Sequence, residues 1–224
     1  MVDDIHHYKL VIFDLDGTLA DTFGDIAEAV NFALAGQGLS PFSSQKVRQY
    51  VGNGVRNLME RLLSQYGKKE QMAKNGRLVD EAVRLWKDYY QSHPADHTTL
   101  YKGACKVLEG LRQRRVKTAV LTNKDQVITL RVLDALGIKD LFDCIVGENQ
   151  RLPRKPAPEA VRFIMQEVGA TPKDTLIIGD GEADILAGKR SGCSVWGVSY
   201  GVLHPEKMRE LGIRRVVDSL EEIG

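Results

Sequence analysis

No stretch of these 224 residues stays apolar for the roughly 20 positions that a bilayer-spanning helix needs, so the chain is read as having no membrane span. An excess of either charge is missing too. Thirty-one Lys and Arg stand against thirty Asp and Glu, a formal net charge of +1, which leaves no electrostatic footprint for nucleic acid or an anionic membrane. Any anionic ligand must therefore be held by a local site. Cysteine is scarce: Cys105, Cys144 and Cys193 are odd in number, far apart and without a C-x-x-C pair. That pattern fits neither a disulfide frame nor a zinc site and suits a reducing cytoplasm, with the thiols expected to fill core or near-core positions. None of His6, His7, His93, His97 and His204 has metal-ligand spacing with an acid at a strand tip, and they are expected at the surface or at hinges. The opening "MVDDIHHYKL" has two acids and no long apolar run, so neither a secretory signal nor a transit peptide is expected and the location is expected to be cytoplasmic. Repeats and low-complexity segments are absent, and no signal fixes an oligomeric state.

What is present is 43% hydrophobic and 27% charged residues, enough for one good core or a core plus a smaller unit. From residue 22 to about 97 the periodicity is helical throughout. "DIAEAVNFALAGQGL" sets Ile26, Val30, Ala33 and Leu34 on one stripe and stops at Gly36 and Gly38. "SSQKVRQYVG" predicts a short helix capped by Ser43 or Ser44. Val55, Leu58, Met59, Leu62 and Leu63 follow the i, i+3, i+4 pattern of a third. A fourth, over 69–92, turns Val79, Ala82, Val83, Trp86 and Tyr90 inward, with Asn75 and Gly76 as a possible break. Short connections between four helices predict a small antiparallel bundle.

From residue 100 the texture alternates. "VKTAVLT" (116–122), "FDCIVGE" (142–148), "TLIIGD" (175–180), "SVWGVS" (194–199) and "RRVVD" (214–218) are short, β-branched runs, with helical segments between them near 103–114, 125–136, 157–168, 182–191 and 205–211. This rhythm predicts an α/β fold, a Rossmann-like core with a mainly parallel sheet flanked by helices. "KLVIFD" has the same character but lies before the helical block. The expected organisation is an α/β core of residues 1–19 and 98–224 with an all-helical cap, residues 20–97, inserted after the first strand. Such an insertion sits at the C-terminal edge of the sheet, where ligands bind in open α/β folds.

The polar residues gather at that edge. Strand one ends in Asp14 and Asp16, the strand at 116–122 in Thr122 and Asn123, and the strand at 175–180 in Asp180, with Asp184 four residues on. A single acid in such a place could equally cap the following helix, and Asp184 could merely favour the helix dipole. Together, if the three strands are neighbours, the tips converge on one crevice. Clustered carboxylates raise one another's pKa unless a cation lies between them, and a hard, all-oxygen set suits Mg²⁺. Lys155, on a backbone stiffened by Pro156 and Pro158, is the candidate to balance phosphate charge, against the alternative of a solvated surface lysine.

"DLDGTL", "LTNK", the lysine of "RKPAPE" and "GDGEAD" occur in the order and approximate spacing of the four motifs of the haloacid dehalogenase-like hydrolases, and the chain resembles that family over nearly its whole length. "DLDGTLADT", the helical insertion and "YVGNG" are similar to its phosphoglycolate phosphatase branch. The resemblance implies a Mg²⁺-dependent phosphatase acting on a small phosphorylated metabolite, 2-phosphoglycolate being preferred, through an aspartyl-phosphate. Asp14 is then the nucleophile and Asp16 the general acid and base, its carbonyl also a metal ligand. Thr122 and the Asn123 backbone bind the phosphoryl group, Lys155 offsets its charge, Asp180 is a direct Mg²⁺ ligand, and Asp184 acts through water or by orienting Lys155. Gly17 permits the tight turn that brings N–H groups to the phosphate, with Thr18 supporting it. Two departures stand out: Gly181 replaces the usual hydroxyl residue after Asp180, and Pro158, Glu159, Ala160, Val161 replace a second proline and leucine after Lys155. A sugar phosphomutase or a pyrophosphatase on the same fold, and a catalytically idle binding protein, are the alternatives. Carbon–halogen hydrolysis is disfavoured because Asp16 is present.

"VGNGVRN" lacks the third glycine and the strand-to-helix context of a dinucleotide site. It is either a plain break between helices or, as the resemblance implies, a loop over the active site. In the second case the N–H groups of Gly52, Asn53 and Gly54 could bind a small carboxylate, with Arg56 in reach. Lys124 is a further candidate for an anionic substrate; each of the two cations could instead be solvated.

Overall fold

The computed structural model describes residues 5–66 and 76–223. The chain lays down β1 (Leu10–Phe13), β2 (Ala20–Asp21), the helices α1 (Phe23–Ala35), α2 (Ser44–Arg48), α3 (Val55–Leu63) and α4 (Gly76–Ser92), and then β3 (Thr99–Leu100). Helices and strands alternate thereafter: α5 (Ala104–Gln113), β4 (Lys117–Asp125), α6 (Gln126–Ala135), β5 (Cys144–Glu148), α7 (Glu159–Val168), β6 (Thr175–Gly179), α8 (Glu182–Ser191), β7 (Ser194–Val198), α9 (Pro205–Glu210) and β8 (Val216–Val217). Six strands form a parallel sheet in the order β5-β4-β1-β6-β7-β8.

β1 lies at the centre because its four residues, Leu-Val-Ile-Phe, are buried on both faces. Val11 and Phe13 enter the larger core, which continues into the helical unit, while Leu10 and Ile12 pack with Ala160, Val161 and Ile164 on the other face. The sheet therefore places β1 between β4 and β6, so the three polar strand ends are adjacent.

The helical elements follow the apolar stripes. Leu58, Met59, Leu62 and Leu63 are the buried residues of α3, and Val79, Ala82, Trp86 and Tyr90 those of α4; Val83 is half-buried. The expected start of the fourth helix at residues 69–75 lies outside the described residues, and the described helix begins at Gly76. Ser43 caps α2, accepting from the N–H of Lys46 at 3.2 Å.

Some features were not expected. β2 and β3 pair antiparallel, Ala20 with Leu100 and Asp21 with Thr99, where the chain leaves the core and returns. Two residues per strand are too few to show a period of two. Asp25, buried in the first turn of α1, accepts from Thr98 Oγ1 at 2.5 Å and the His97 N–H at 3.0 Å, tying the returning chain to the departing one. β4 runs on to Asp125 through a register shift after Leu121, so Thr122 and Asn123 lie inside it rather than at its end. Cys105 is exposed, not a core filler, because it faces outward from α5, whose buried stripe is Ala104, Val107, Leu108 and Leu111.

Candidate active site

Residues just beyond β1 turn sharply. The Asp14 N–H still bonds to Ile178 O at 2.9 Å, and the Leu19 and Ala20 N–H groups both return to Leu15 O at 3.1 Å. Gly17 has φ +86°, and a Cβ there would meet Asp180 Oδ2 at 2.5 Å, so this position requires glycine twice over. Thr18 is fully buried and donates to Asp180 Oδ1 at 3.0 Å. Its hydroxyl thus fixes a carboxylate of the neighbouring strand and does not serve the turn alone.

Three carboxylates, from Asp14, Asp180 and Asp184, each offer an oxygen within 4.8 Å of the others. Asp180 Oδ2 accepts from the Val202 N–H at 2.7 Å. Asp184, in the first turn of α8, accepts at Oδ2 from the Gly181 N–H at 3.0 Å. This capping geometry needs no side chain at position 181, so the missing hydroxyl does not disturb it. The Lys155 ammonium, its side chain 2% exposed, contacts Asp14 Oδ1 at 2.9 Å, Asp184 Oδ1 at 2.5 Å and Leu121 O at 2.6 Å. It is no surface lysine.

The electrostatics follow from this crowding. Burial, then the charge of Asp184, holds the Asp14 carboxyl well above the usual range despite Lys155. Burial and Asp184 push Asp180 up to about 7, although the bonds from Val202 and Thr18 pull the other way. Burial disfavours the Lys155 ammonium, but Asp14 and Asp184 outweigh it and its pKa is raised. One lysine among three carboxylates, two buried and Asp14 half-buried, leaves the cluster short of positive charge, and its oxygen-only donor set fits a hard divalent cation such as Mg²⁺.

Asp16 faces different partners. Its Oδ1 accepts from Thr22 Oγ1 at 2.6 Å and from Lys124 Nζ at 2.8 Å. Thr122 is buried at the cavity wall and accepts the Lys124 N–H at 3.2 Å. Asn123 Nδ2 donates at 3.0 Å both to Lys155 O and to Gly52 O, joining the core to the helical unit, while its Oδ1 is buried without a partner among the described residues.

A cavity of about 390 Å³ opens above these groups, and the Gly52-Asn53-Gly54 loop forms part of its wall. Asn53 O accepts from Arg154 Nη1 at 3.1 Å, and a Cβ on Gly54, at φ +79°, would collide with that guanidinium. Arg56 lies elsewhere: it pairs with Asp80 and with Glu60 on the outer surface and does not line the cavity. The cation of α3 that does is Arg61, held 4.7 Å from the Tyr50 ring centroid and without a carboxylate partner among the described residues. Five residues separate the two arginines, about 140° around the helix, so they flank the buried stripe on opposite sides. Helical phase alone does not tell which flank meets the cavity.

Residues 11–198 match the family described as Haloacid dehalogenase-like hydrolase. A phosphoglycolate phosphatase of Pseudomonas putida is 35% identical over 216 residues, 96% of this chain and 78% of that one. One from Vibrio vulnificus is 35% identical over 219 residues, 96% and 94% of the two chains. A crystal structure described as a predicted phosphoglycolate phosphatase from Haemophilus somnus superposes with a TM-score of 0.88 at 29% identity, covering 97% of this chain and 96% of that one.

Proposed function

The chain belongs to the haloacid dehalogenase-like hydrolases and is a phosphoric monoester hydrolase, and from that premise we propose that it hydrolyses 2-phosphoglycolate through a phosphoryl group carried on Asp14. The observation that supports this most is the meeting of Asp14, Asp180, Asp184 and Lys155 under a cavity that also holds Asp16. Asp14 Oδ1 is occupied by Lys155 and by the Leu15 N–H at 2.7 Å, which leaves Oδ2 to attack phosphorus. In the first step the Oδ2–P bond forms, the P–O bond to glycolate breaks, and a proton passes from Asp16 to the leaving oxygen. In the second, water attacks phosphorus, its proton goes to Asp16, and the Asp14–P bond breaks to give phosphate.

The Thr122 hydroxyl and the Asn123 backbone bind the transferring oxygens, while Lys155, its three N–H groups directed to Asp14, Asp184 and Leu121 O, offsets their charge and that of Asp14, and Asp184 orients it. Asp14, Asp180 and the carbonyl of Asp16, with Asp184 behind them, would hold Mg²⁺, which when bound supplies positive charge against the carboxylates and the phosphoryl oxygens. Gly52, Asn53, Gly54 and Arg61 line the cavity wall, and their N–H groups and guanidinium would suit the small carboxylate of the leaving group. Residues 20–97 act as the lid that excludes water from the first step.

Phosphate release from 2-phosphoglycolate, other phosphomonoesters, sugar phosphates and pyrophosphate, with Mg²⁺ and with chelator, tests the reading. Turnover should need Mg²⁺, favour 2-phosphoglycolate and vanish in Asp14→Asn, while Arg61→Ala should raise KM for 2-phosphoglycolate by about tenfold or more, the worth of one charge-assisted contact. Preference for another compound would discard the substrate, and full activity in Asp14→Asn would discard the mechanism.

A further inference from the structure

Lys124 follows Thr122 and Asn123 and lines the cavity, a place that suits a substrate ligand. Its ammonium is committed elsewhere. Nζ donates to Asp16 Oδ1 at 2.8 Å and lies 4.5 Å from the centroid of the Tyr90 ring, with the side chain only 1% exposed. A buried ammonium needs a counter-charge and a favourable face, and Asp16 and Tyr90 supply one each. The same Asp16 oxygen accepts from Thr22 Oγ1 at 2.6 Å, so two donors fix the rotation of the carboxylate. Oδ2 has no donor among the described residues and is left for proton exchange.

We propose that Lys124 is a positioning residue for Asp16 and not a substrate ligand: braced by Tyr90 of α4, it holds the carboxylate in the orientation that protonates the leaving oxygen and later takes a proton from water. This rests on the role given to Asp16 above. It also ties that orientation to the helical unit, because Tyr90 reaches Lys124 only while α4 lies against the core.

Lys124→Met keeps an unbranched side chain one atom shorter and removes the charge. With an alkyl ester such as 2-phosphoglycolate or glycerol 3-phosphate, kcat should fall by about 10²-fold, the scale of general acid–base catalysis, with KM changed by less than about threefold. p-Nitrophenolate leaves without a proton, so p-nitrophenyl phosphate should still load Asp14 quickly while hydrolysis of the aspartyl-phosphate slows. Rapid mixing should then show a burst of p-nitrophenolate approaching one per active site. Adding Lys124→Met to Asp16→Asn should cost nothing further. A rise in KM with kcat retained, equal losses on both ester types without a burst, or additive losses in the double variant would each overturn the proposal. Should Lys124→Met not fold, Lys124→Arg carries the same test, since a displaced charge must also cost the alkyl ester more than the aryl ester. Activity surviving in Asp14→Asn is a separate outcome and overturns the covalent mechanism instead.

Discussion

Lys155 shows how far one residue can join stability to chemistry. It is the only cation in contact with Asp14 and Asp184 among the described residues, and removing one partner of a buried ion pair leaves the others without compensation, at a cost of about 3–5 kcal/mol. Lys155→Met should therefore lower the urea midpoint of chelator-treated protein strongly, and added Mg²⁺ should recover part of the loss; an unchanged midpoint would show that the carboxylates do not need the ammonium. The thiols give a gentler test. Burial and the charge of Asp174 push the Cys193 thiol up to about 11, and burial, with Glu167 and Asp143, raises Cys144. A raised thiol pKa keeps the protonated, unreactive form at pH 8, so iodoacetamide there should modify the exposed Cys105 first, as mass spectrometry of the digested protein would show. Preferential labelling of Cys193 would contradict the packing around β7. Among the candidate site residues, Asp14, Asp16 and Asp180 were legible because motif order and strand-tip placement both point to them, and Lys155 from motif order and its flanking prolines alone. The partner of Lys124 was not, since no local pattern says that a residue on β4 reaches an acid 108 positions away.

At the level of elements, the periodic segments were readable and the aperiodic ones were not. The stripes of α1, α3 and α4 and the apolar runs of β1, β5, β6 and β7 each repeat long enough to declare their type. The β2–β3 ribbon has two residues a side, and the continuation of β4 through Thr122 to Asp125 is polar, so neither carries a strand's alternation. Arg56 was the cation expected near the loop, and that Arg61 lines the cavity instead depends on how α3 is seated against the core, which helical phase does not contain. Asp125, where β4 passes into α6, does two jobs. Its Oδ1 accepts the N–H groups of Val127 at 2.9 Å and Ile128 at 3.4 Å, and its Oδ2 meets Lys87 of α4 at 2.6 Å. Loss of an N-cap costs about 0.5–2 kcal/mol, whereas a partly exposed pair is worth about 0–1 kcal/mol. Asp125→Ala should thus lower Tm by several degrees and Lys87→Ala by clearly less, at about 2–4 °C per kcal/mol for a chain of this size. Equal losses from the two changes would mean that the link between helical unit and core, not the cap, is what Asp125 supplies.

Taken whole, the molecule is a sheet edge facing a helical unit that shares its larger apolar core, with a set of polar contacts across the seam beside the cavity. Gly52 O meets Asn123 and Asn53 O meets Arg154. Arg48 Nη2 donates to Tyr200 O at 2.7 Å and Gly201 O at 3.1 Å, and Arg131 Nη1 donates to Gln91 O at 2.6 Å. Most end on backbone carbonyls that water could serve as well, so each stabilises the closed arrangement by only about 1 kcal/mol net. A ligand that adds its own contacts to both sides shifts the balance further toward the closed arrangement. The lid motion proposed above would be taken up where two chain segments cross between the units, near residues 18–22 and 95–101, which the β2–β3 pairing and the Asp25 clasp hold side by side. Mg²⁺ with orthovanadate, which imitates the phosphoryl group in flight, should therefore slow amide hydrogen exchange at those two crossings and in the Gly52–Gly54 loop. Arg48→Ala, which removes the bonds to Tyr200 and Gly201 and the stacking of its guanidinium 4.2 Å from the Phe23 ring centroid, should weaken that protection and raise KM. Exchange at the crossings that is the same with and without vanadate would mean that the helical unit is a fixed wall of the cavity, and the exclusion of water from the first step would then have to come from the substrate filling it.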